Sequence, residues 1–273
     1  MPEAINEHEG RALFGGDPTN YDAIRPPYPD QVYTFLQTTR ALRPSVATLE
    51  LGAGNGLASR RLLALGADPL TLLEPDVRFA PLLRSLAATR AAHVQVVHTS
   101  FEDAALPAHS YDLVAAATSF HWVHPSVRVV KAAQVLKPGG SLAVWWNVFG
   151  DPERDDPYHE ATKHVLDTVA RSPSDPRNAL PFALDTTARR REISATGAFD
   201  APDAAVYRWV LWLSTPQVGA LYATFSSISR LPADQRRALL DHLMDIAERD
   251  FGGRVARNMV TPVYVARRRP TRP

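Results

Sequence analysis

The 273-residue sequence contains no cysteine. Disulfide bonds, thiolate metal sites, cysteine nucleophiles and cysteine-bound iron–sulfur clusters are therefore excluded. Neither charge is in excess, since 30 lysine and arginine residues stand against 29 aspartate and glutamate residues. Proteins that bind nucleic acid need a basic surface to neutralise phosphates, so we expect no nucleic-acid partner.

Long apolar runs are also missing. No stretch reaches the roughly 20 apolar residues that a membrane helix needs, and the start, MPEAINEHEG, lacks the basic and apolar regions of a leader sequence. We therefore expect a cytoplasmic protein without a membrane partner. The chain does contain 45% hydrophobic residues, enough to bury a core. Its length suits a single domain over residues 1–273, as a monomer or homodimer.

From residue 46 onward, apolar runs alternate with helical patterns. The runs typical of strands are VATLEL, PLTLLEP, VQVVHT, YDLVAAATSF, SLAVWWN, AVYRWVLWL and VARNMVTPVYVARRR. This alternation predicts an α/β fold with a doubly wound, mostly parallel sheet of seven strands and helices on both faces. We predict the last run as an antiparallel C-terminal edge strand because Pro262 cannot donate a ladder hydrogen bond. The helical sequence between Asn147 and Arg254 is predicted to form a lid.

The segment LELGAGNG, residues 49–56, joins the first strand pattern to a helical pattern. Ligands of open parallel sheets bind beyond the carboxyl ends of the strands, where such a glycine-rich turn lies. Gly52, Gly54 and Gly56 are spaced G-x-G-x-G, whereas a dinucleotide site needs G-x-G-x-x-G around its pyrophosphate. Glu50 places a carboxylate where that pyrophosphate would lie. The loop therefore favours a cationic ligand.

A second acidic residue, Glu74, ends the next strand pattern 18 residues beyond Gly56. An acidic residue at about this place in the fold accepts hydrogen bonds from ribose hydroxyls. S-adenosylmethionine combines an adenosine ribose with a positively charged, phosphate-free tail. Glu50 and Glu74 together therefore predict this cofactor.

Seven motifs follow one another along the first half of the chain. They are YDAIRPPYP, LELGAGNG, LLEPD, FEDAALP, YDLV, SFHWV and LKPGG. Their order resembles that of class I S-adenosylmethionine-dependent methyltransferases, most strongly the small-molecule group that includes the ubiquinone/menaquinone-pathway and trans-aconitate enzymes. The resemblance covers Phe14 to Asn147. It implies a Rossmann-like fold and methyl transfer by in-line displacement to a small-molecule acceptor.

The resemblance also implies roles for the matching residues. Glu50 and the backbone of the glycine loop would meet the methionine end of the cofactor, and Glu74 would meet its ribose. Ala117 and Thr118 would lie near the sulfonium. The implied cofactor-binding residues are Tyr21, Arg25, Glu50, Gly52, Gly54, Gly56, Glu74, Pro75, Phe101, Glu102, Ala117 and Thr118.

The remaining implied contacts involve the adenine ring and a covering segment. Phe101 and Glu102 would contact the adenine, with Asp103 as the alternative to Glu102, because TSFEDAA departs from the segment that many relatives carry here. Tyr21 and Arg25 would close over the cofactor, and the charge of Arg25 suits its carboxylate.

The predicted methyltransferase domain has four segments. Residues 1–45 would cover the cofactor, and residues 46–148 would form the cofactor-binding core. Residues 149–204 would be an insertion, and residues 205–273 would supply the C-terminal strands with the helical lid.

His121, in SFHWV, is the candidate catalytic base. If the acceptor is a phenol, an enol or an amine, an imidazole can remove its proton. The alternative is a histidine that lines or supports the pocket, since a histidine beside a tryptophan is more often packing. No metal is expected, because the spacing of Asp155, Asp156, His159 and His164 matches no metal motif.

The acceptor is predicted from the C-terminal half. Trp209, Trp212, Tyr222 and Phe225 suit a mostly apolar or aromatic small molecule, such as a secondary metabolite. The basic run ARRRE, residues 188–192, is predicted to be solvated. Two other functions stay open: a non-methylating S-adenosylmethionine-binding protein, regulatory or cyclase-like, and a NAD(P)-dependent oxidoreductase, which the glycine spacing disfavours.

Overall fold

The computed structural model describes residues 23–88, 93–169 and 180–270. The chain forms two compact units. The larger unit consists of residues 27–146, 183–207 and 261–273, and the smaller unit of residues 1–26, 147–182 and 208–260. No helix in the described ranges is long and apolar enough to cross a membrane.

Helices and strands alternate along the chain. In chain order they are α1 (Asp30–Thr38), β1 (Val46–Leu51), α2 (Leu57–Ala64), β2 (Ala67–Leu73), α3 (Ala80–Ala88), β3 (Val94–Val97), β4 (Tyr111–Ala117), α4 (Pro125–Val135), β5 (Leu136–Trp145), β6 (Val148–Phe149), α5 (Pro157–Leu166), α6 (Thr186–Ser194), β7 (Asp203–Ser214), α7 (Thr215–Ala223), α8 (Ser226–Ser229), α9 (Ala233–Phe251) and β8 (Arg254–Arg267). Short 3-10 turns, Val77–Phe79 and Phe120–Trp122, follow β2 and β4.

The eight strands form one sheet in the order β3-β2-β1-β4-β5-β8-β6, and β7 also pairs with β8. The first five strands in this order are parallel, whereas β8 runs antiparallel to β5 and β6. The predicted α/β fold, with a mostly parallel sheet and an antiparallel edge, is confirmed.

Two details of the sheet differ from the prediction. It has eight strands rather than seven because β6 has only two residues, too few to leave a sequence pattern. In addition, β8 lies one place inside the edge, between β5 and β6. Pro262 is tolerated there because it falls between two ladders: the residues from Val263 onward pair with β5, and Met259 and Val260 pair with β6.

The sequence VRVVKAAQVLKPGG predicts a helix that Pro138, Gly139 and Gly140 end, but the observed helix is shorter. α4 ends at Val135, and Leu136 already has an extended backbone with φ −68° and ψ 142°. A proline clashes with the carbonyl four residues before it and disfavours helical backbone at the preceding residue, so Pro138 prevents the helix from continuing. The segment LKPGG therefore opens β5 instead of closing α4.

The central strand β1 shows why the sheet of the larger unit forms. Five of its six residues are buried, and β2 and β4 pair with it on either side. A strand covered on both faces has a continuous apolar run rather than an alternating pattern, as VATLEL does. The core around it includes Val46, Leu72, Leu113 and Trp145, and burying each such leucine or valine contributes about 1.5–3 kcal/mol.

The smaller unit has its own core. Its longest helix, α9, contributes Leu239, Leu243, Ile246 and Ala247, which recur at helical spacing. Tyr158 of α5 donates its hydroxyl to the Leu243 carbonyl at 2.8 Å. This hydrogen bond fixes α5 against α9.

An ion pair is buried inside the smaller unit. Arg257 and Asp156 are 3% and 6% exposed, and Arg257 Nε donates to Asp156 Oδ2 at 2.9 Å. The same guanidinium donates to the Tyr222 hydroxyl. Asp156 Oδ1 accepts the His159 N–H at 2.9 Å and so caps α5. Both carboxylate oxygens of Asp156 therefore serve the fold of this unit.

We predict that Asp156→Asn destabilises the protein by about 3 kcal/mol, because the Arg257 guanidinium would remain buried without a countercharge. Asparagine can still cap α5, so the change isolates the ion pair. Urea unfolding followed by tryptophan fluorescence measures the loss. Asp250→Asn is the matched control: Asp250 pairs with Arg249 on the surface, and its loss should change little. Equal effects of the two substitutions would contradict this prediction.

Candidate functional site

Three neighbouring strands of the larger unit end at one edge of the sheet. β1 lies between β2 and β4, and these strands are followed by the glycine loop, Glu74 and Thr118, respectively. The carboxyl ends of parallel strands form the ligand-binding edge of such sheets. The fold therefore brings the glycine loop, Glu50, Glu74 and Thr118 to this edge, as the sequence predicts.

The three glycines of the loop have positive φ angles, 64° at Gly52, 53° at Gly54 and 76° at Gly56. Glycine adopts such angles without strain. A Cβ on Gly52 would lie 2.8 Å from Ser119 Cβ, and one on Gly56 would lie 3.1 Å from Leu86 Cδ2. A Cβ on Gly54 would meet no atom of the described residues within 4 Å. The loop is therefore closely packed at both ends and open at its centre.

Glu74 ties this loop to the end of β2. Its Oε2 accepts the Gly54 N–H at 2.7 Å, and its Oε1 accepts the Asp76 N–H at 2.9 Å. Burial raises the pKa of Glu74 to about 7, although these two hydrogen bonds favour the ionised form. The Glu74 carboxylate thus holds the backbone at the centre of the loop. The same carboxylate is the predicted contact for the ribose.

Glu50 is the most deeply buried acid of the site, at 1% exposed. Burial is the main reason that its pKa rises to about 8; the nearby Ser59 hydroxyl opposes the rise, and the charge of Glu74 adds to it. Its Oε2 has no hydrogen-bond partner among the described residues, and neither has Asn55 Nδ2. Because buried polar groups are nearly always hydrogen-bonded, the unpartnered carboxylate oxygen fits a cationic or hydrogen-bond-donating ligand group.

Thr118 follows β4 with φ 55°, a conformation that costs a β-branched residue on the order of 1–3 kcal/mol. The Tyr28 hydroxyl donates to Thr118 Oγ1 at 2.9 Å, and the Thr118 N–H donates to the Trp145 carbonyl at 2.7 Å. The next hydroxyl, that of Ser119, donates to the Leu51 carbonyl. These bonds to the ends of β1 and β5 hold the strained residue in place, which is typical of a functional position.

His121 lies in the 3-10 turn after β4, where its ring packs on Trp122 with 4.8 Å between ring centres. The indole N–H of Trp146 donates to His121 Nδ1 at 3.0 Å. Burial is the main reason that the pKa of His121 falls to about 3, and the charges of Arg128 and Arg189 contribute. His121 is therefore neutral at physiological pH. So low a pKa weighs against its predicted role as a base.

Arg128 of α4 donates hydrogen bonds to the turn that carries His121. Its Nη1 donates to the Phe120 and Val123 carbonyls at 3.4 and 3.3 Å. Its Nε donates to Glu192, which also pairs with Arg189 at 2.8 Å. The run ARRRE was predicted to be solvated, and this is wrong for Arg189 and Glu192, whose side chains are mostly buried. The buried Arg128 pairs with Glu192, which lies 64 residues further along the chain. A local sequence pattern cannot predict a contact between residues so far apart.

The predicted adenine contacts lie on the loop after β3. Phe101 is buried, with its ring 5.4 Å from Lys131 Nζ. Glu102 Oε1 accepts the His124 N–H at 2.9 Å, and Asp103 Oδ2 accepts a serine hydroxyl of the same loop at 2.6 Å. Glu102 and Asp103 both stay predictions for the adenine contact.

The other predicted residues are spread over both units. Pro75 is exposed after β2, and Ala117 is the partly buried last residue of β4. Arg25 belongs to the smaller unit, where its Nη2 donates to the Thr224 carbonyl at 3.0 Å. Tyr21 lies outside the described residues. Within the described ranges, no group of three or more histidine or acidic residues could hold a metal ion.

Tyr28 reaches this edge although the sequence reasoning did not name it, whereas Trp146 was predicted to lie either near the sulfonium or in the core. Tyr28 lies in YDAIRPPYP, so the motif itself was a signal, but nothing local shows that its hydroxyl reaches Thr118. Trp146 lies at the end of the SLAVWWN strand pattern, where an aromatic residue is equally typical of the core.

Comparison with known proteins adds three findings on sequence. Residues 49–144 match a family model described as a methyltransferase domain. An uncharacterised methyltransferase of Schizosaccharomyces pombe is 25% identical over 236 residues, which cover 85% of this chain and 86% of that protein. An uncharacterised methyltransferase of Mycobacterium tuberculosis is 34% identical over 136 residues, which cover 49% of this chain and 51% of that one. This match therefore spans about half the length of the mycobacterial relative.

Solved structures match over most of the chain at low identity. Phosphoethanolamine N-methyltransferase 2 of Haemonchus contortus, in complex with phosphomonomethylethanolamine and S-adenosylhomocysteine, matches with a TM-score of 0.56 and 12% identity, over 99% of this chain and 61% of that one. The [4+2]-cyclase SpnF matches with a TM-score of 0.57 and 16% identity, over 99% and 98%. Likeness at these identities shows the fold alone.

The two buried carboxyls predict a pH dependence of stability. Glu50 and Glu74 have pKa values of about 8 and about 7 in the folded protein, against an ordinary value of 4.5. The folded protein therefore binds protons that the unfolded chain has already released, so stability should fall as the pH rises from about 5 to about 8 and then level off.

Glu50→Gln keeps the shape of the side chain and removes its charge. It should reduce this fall by on the order of 2–4 kcal/mol. Urea unfolding of the unliganded protein at about pH 5, 7 and 9 measures the effect. Glu153→Gln is the control, because the Glu153 side chain is 70% exposed. If stability instead rises over this pH range, burial does not raise the pKa values of Glu50 and Glu74.

Proposed function

We propose that this chain, a class I S-adenosylmethionine-dependent methyltransferase, transfers the methyl group to a small, mostly apolar or aromatic acceptor such as a secondary metabolite. One observation carries the cofactor assignment. The Glu50 carboxylate is buried beside the glycine loop and has an oxygen without a described partner. A cationic group placed there would offset the cost of burying the ionised carboxylate.

Different residues at the sheet edge would contact different parts of the cofactor. Glu50 and the backbone of the glycine loop would hold the methionine end, whose ammonium group suits the unpartnered oxygen. Glu74 would accept the ribose hydroxyls. Thr118 and the neighbouring Ala117 would lie near the sulfonium, and Glu102 or Asp103 near the adenine.

Two residues of the N-terminal segment are proposed from the sequence motif alone. Tyr21 and Arg25 would cover the cofactor, as the YDAIRPPYP motif implies. The guanidinium of Arg25 suits a carboxylate.

The charge of this edge also argues against a dinucleotide. Two buried carboxyls flank the loop, and ionised carboxylates there would repel a pyrophosphate. A phosphate-free cation meets the opposite situation, because its charge favours ionisation of both groups. The NAD(P)-dependent alternative is therefore disfavoured by electrostatics as well as by the glycine spacing.

The cofactor supplies an electrophilic methyl group on a good leaving group, so the protein mainly has to align the reactants and exclude water. Proximity and orientation can contribute about 7–11 kcal/mol in favourable cases. The rigid end of β4, held by Tyr28 and Ser119, suits this task because it fixes Thr118 in one conformation. Aromatic faces near the sulfonium can add about 0.5–2 kcal/mol, and Trp122 and Trp146 are the candidates on this edge.

The acceptor class rests on composition and on the aromatic residues of the C-terminal half. The near-zero net charge does not favour a polyanionic acceptor. Of the four aromatic residues named for the acceptor, Tyr222 is buried and bonded to Arg257, so it serves the core of the smaller unit. Trp209, Trp212 and Phe225 remain as proposed contacts.

Calorimetry tests the cofactor assignment. The protein should bind S-adenosylmethionine and S-adenosylhomocysteine but not NAD. Glu74→Ala should raise both dissociation constants by about 10- to 100-fold, because hydrogen bonds to a charged group contribute about 1.5–3 kcal/mol. Glu153→Ala, at an exposed glutamate, should leave them unchanged. Binding of NAD alone would overturn the cofactor assignment, and an unchanged constant in Glu74→Ala would remove Glu74 from it.

Incubation with labelled cofactor and a panel of phenolic, carboxylate and amine acceptors tests the acceptor class. A labelled apolar or aromatic product is the expected result. Tight cofactor binding with no transfer to any acceptor would favour the non-methylating alternative, since the fold is shared by a cyclase.

A further inference from the structure

The loop that leads away from β3, residues 98–104, is tied at two places to the carboxyl ends of other strands. Where the loop begins, the Val97 carbonyl accepts the Glu74 N–H at 3.1 Å. Further along, Glu102 Oε1 accepts at 2.9 Å the N–H of His124, the residue that caps α4 after β4. In the sheet, β2 and β1 lie between β3 and β4. The loop therefore passes along the edge that carries the glycine loop.

A single side chain of α4 holds the middle of this loop. Lys131 Nζ donates to the Glu102 carbonyl at 2.9 Å and to the Ala104 carbonyl at 2.7 Å. It also lies 5.4 Å from the centre of the Phe101 ring, within the range of a cation–π interaction. The two bonded carbonyls lie on either side of Asp103. The ammonium group of Lys131 therefore fixes the backbone around both candidate adenine contacts.

The carboxylates of the loop are less buried than their neighbours. Phe101 and Ala104 are buried, whereas Glu102 is half-buried and Asp103 is exposed. The Ser100 hydroxyl donates to Asp103 Oδ2 at 2.6 Å and accepts the Asp103 N–H at 3.2 Å. A carboxylate has about four lone-pair sites, so Glu102 and Asp103 can each accept a further hydrogen bond. The direction of these side chains is set by the backbone that Lys131 holds.

We propose that Lys131 is a positioning residue for recognition of the adenine ring. It holds the loop from Phe101 to Ala104 in the conformation in which Glu102 or Asp103 accepts a hydrogen bond from the amino group of adenine. An ionised carboxylate can only accept, so it favours an amino group at this place and repels a carbonyl oxygen. Hydrogen bonds weaken steeply with distance and angle, so this selectivity depends on the position of the backbone. The proposal rests on the proposed cofactor and adds its selectivity for adenine.

Two substitutions at Lys131 and one at Lys137 form a matched set. Lys131→Met keeps the length and apolar stem of the side chain and removes its donors and charge, whereas Lys131→Arg keeps donors and charge. Lys137 Nζ donates to Asp112 Oδ2 at 2.9 Å. Asp112 is the second residue of β4, at the opposite end of that strand from Thr118. Lys137→Met therefore removes the same atoms and a hydrogen bond, but away from the glycine loop.

Hydrogen exchange of the unliganded full chain tests the hold on the loop without any cofactor. The Ala104 N–H donates to the Ser100 carbonyl at 3.0 Å, and the His124 N–H donates to Glu102. Both amides should exchange on the order of ten times faster in Lys131→Met, because the loop would open locally. Lys131→Arg and Lys137→Met should exchange like the wild type. Unchanged exchange of both amides in Lys131→Met would overturn the proposal.

Calorimetry with S-adenosylhomocysteine and S-inosylhomocysteine, in which an oxygen replaces the adenine amino group, tests the selectivity. The wild type should bind the adenosyl compound at least about ten times more tightly, because the inosyl compound leaves the carboxylate without its donor. Lys131→Met should reduce this ratio to below about three, whereas Lys131→Arg and Lys137→Met should retain it. A loss of general stability would weaken binding of both ligands equally and leave the ratio unchanged.

The outcomes separate this proposal from the proposed function. Equal binding of the two ligands by the wild type, or a ratio that Lys131→Met leaves unchanged, would overturn the role of Lys131 while the proposed cofactor stands. A ratio lost equally in Lys137→Met would do the same. If the wild type does not bind S-adenosylhomocysteine, the proposed function fails, and the role in adenine recognition fails with it.

Discussion

A hydrogen bond of 2.7 Å from the Gly54 N–H to Glu74 Oε2 ties the glycine loop to the end of β2. The loop can accept this geometry because its three glycines take positive φ angles. Glu50, the residue before the last of β1, is buried next to this loop, and its burial raises its pKa. The shape of the loop at this edge therefore depends on residues that can take positive φ angles at little cost. A Cβ added at Gly52 would also collide with Ser119, and one added at Gly56 would crowd Leu86.

The end of β4 is fixed by a different kind of interaction. Thr118 is strained, and hydrogen bonds from Tyr28 and to the Trp145 carbonyl hold it. Strain of this kind persists only where the surrounding structure overdetermines it. The next turn begins at Ser119, which donates to the Leu51 carbonyl, and the Trp146 indole N–H donates to His121 Nδ1 within it. The loop after β1 is thus fixed by its glycine conformations. The segment after β4 is fixed by a network of hydrogen bonds.

Much of this arrangement could be predicted from the sequence because it is local. The strand patterns, the G-x-G-x-G loop, Glu50 and Glu74 each lie within a few residues of a strand end, where periodicity fixes their place. The pairing of Arg128 with Glu192 spans 64 residues, and the donation of the indole to His121 spans 25. Such pairs depend on how α4, α6 and β5 pack, which no spacing rule gives. The protonation state of His121 was beyond prediction for the same reason, since it is set by these distant partners.

The signs of charge along the edge bear on the reaction itself. One carboxyl lies near the end of β1 and another follows β2, and the Arg128 guanidinium donates to carbonyls of the turn after β4. If a methyl group passes from a sulfonium to an anionic acceptor, both charges disappear, so fixed countercharges would stabilise the separated reactants more than the transition state. The proposed reaction would therefore depend on alignment and exclusion of water more than on these charges.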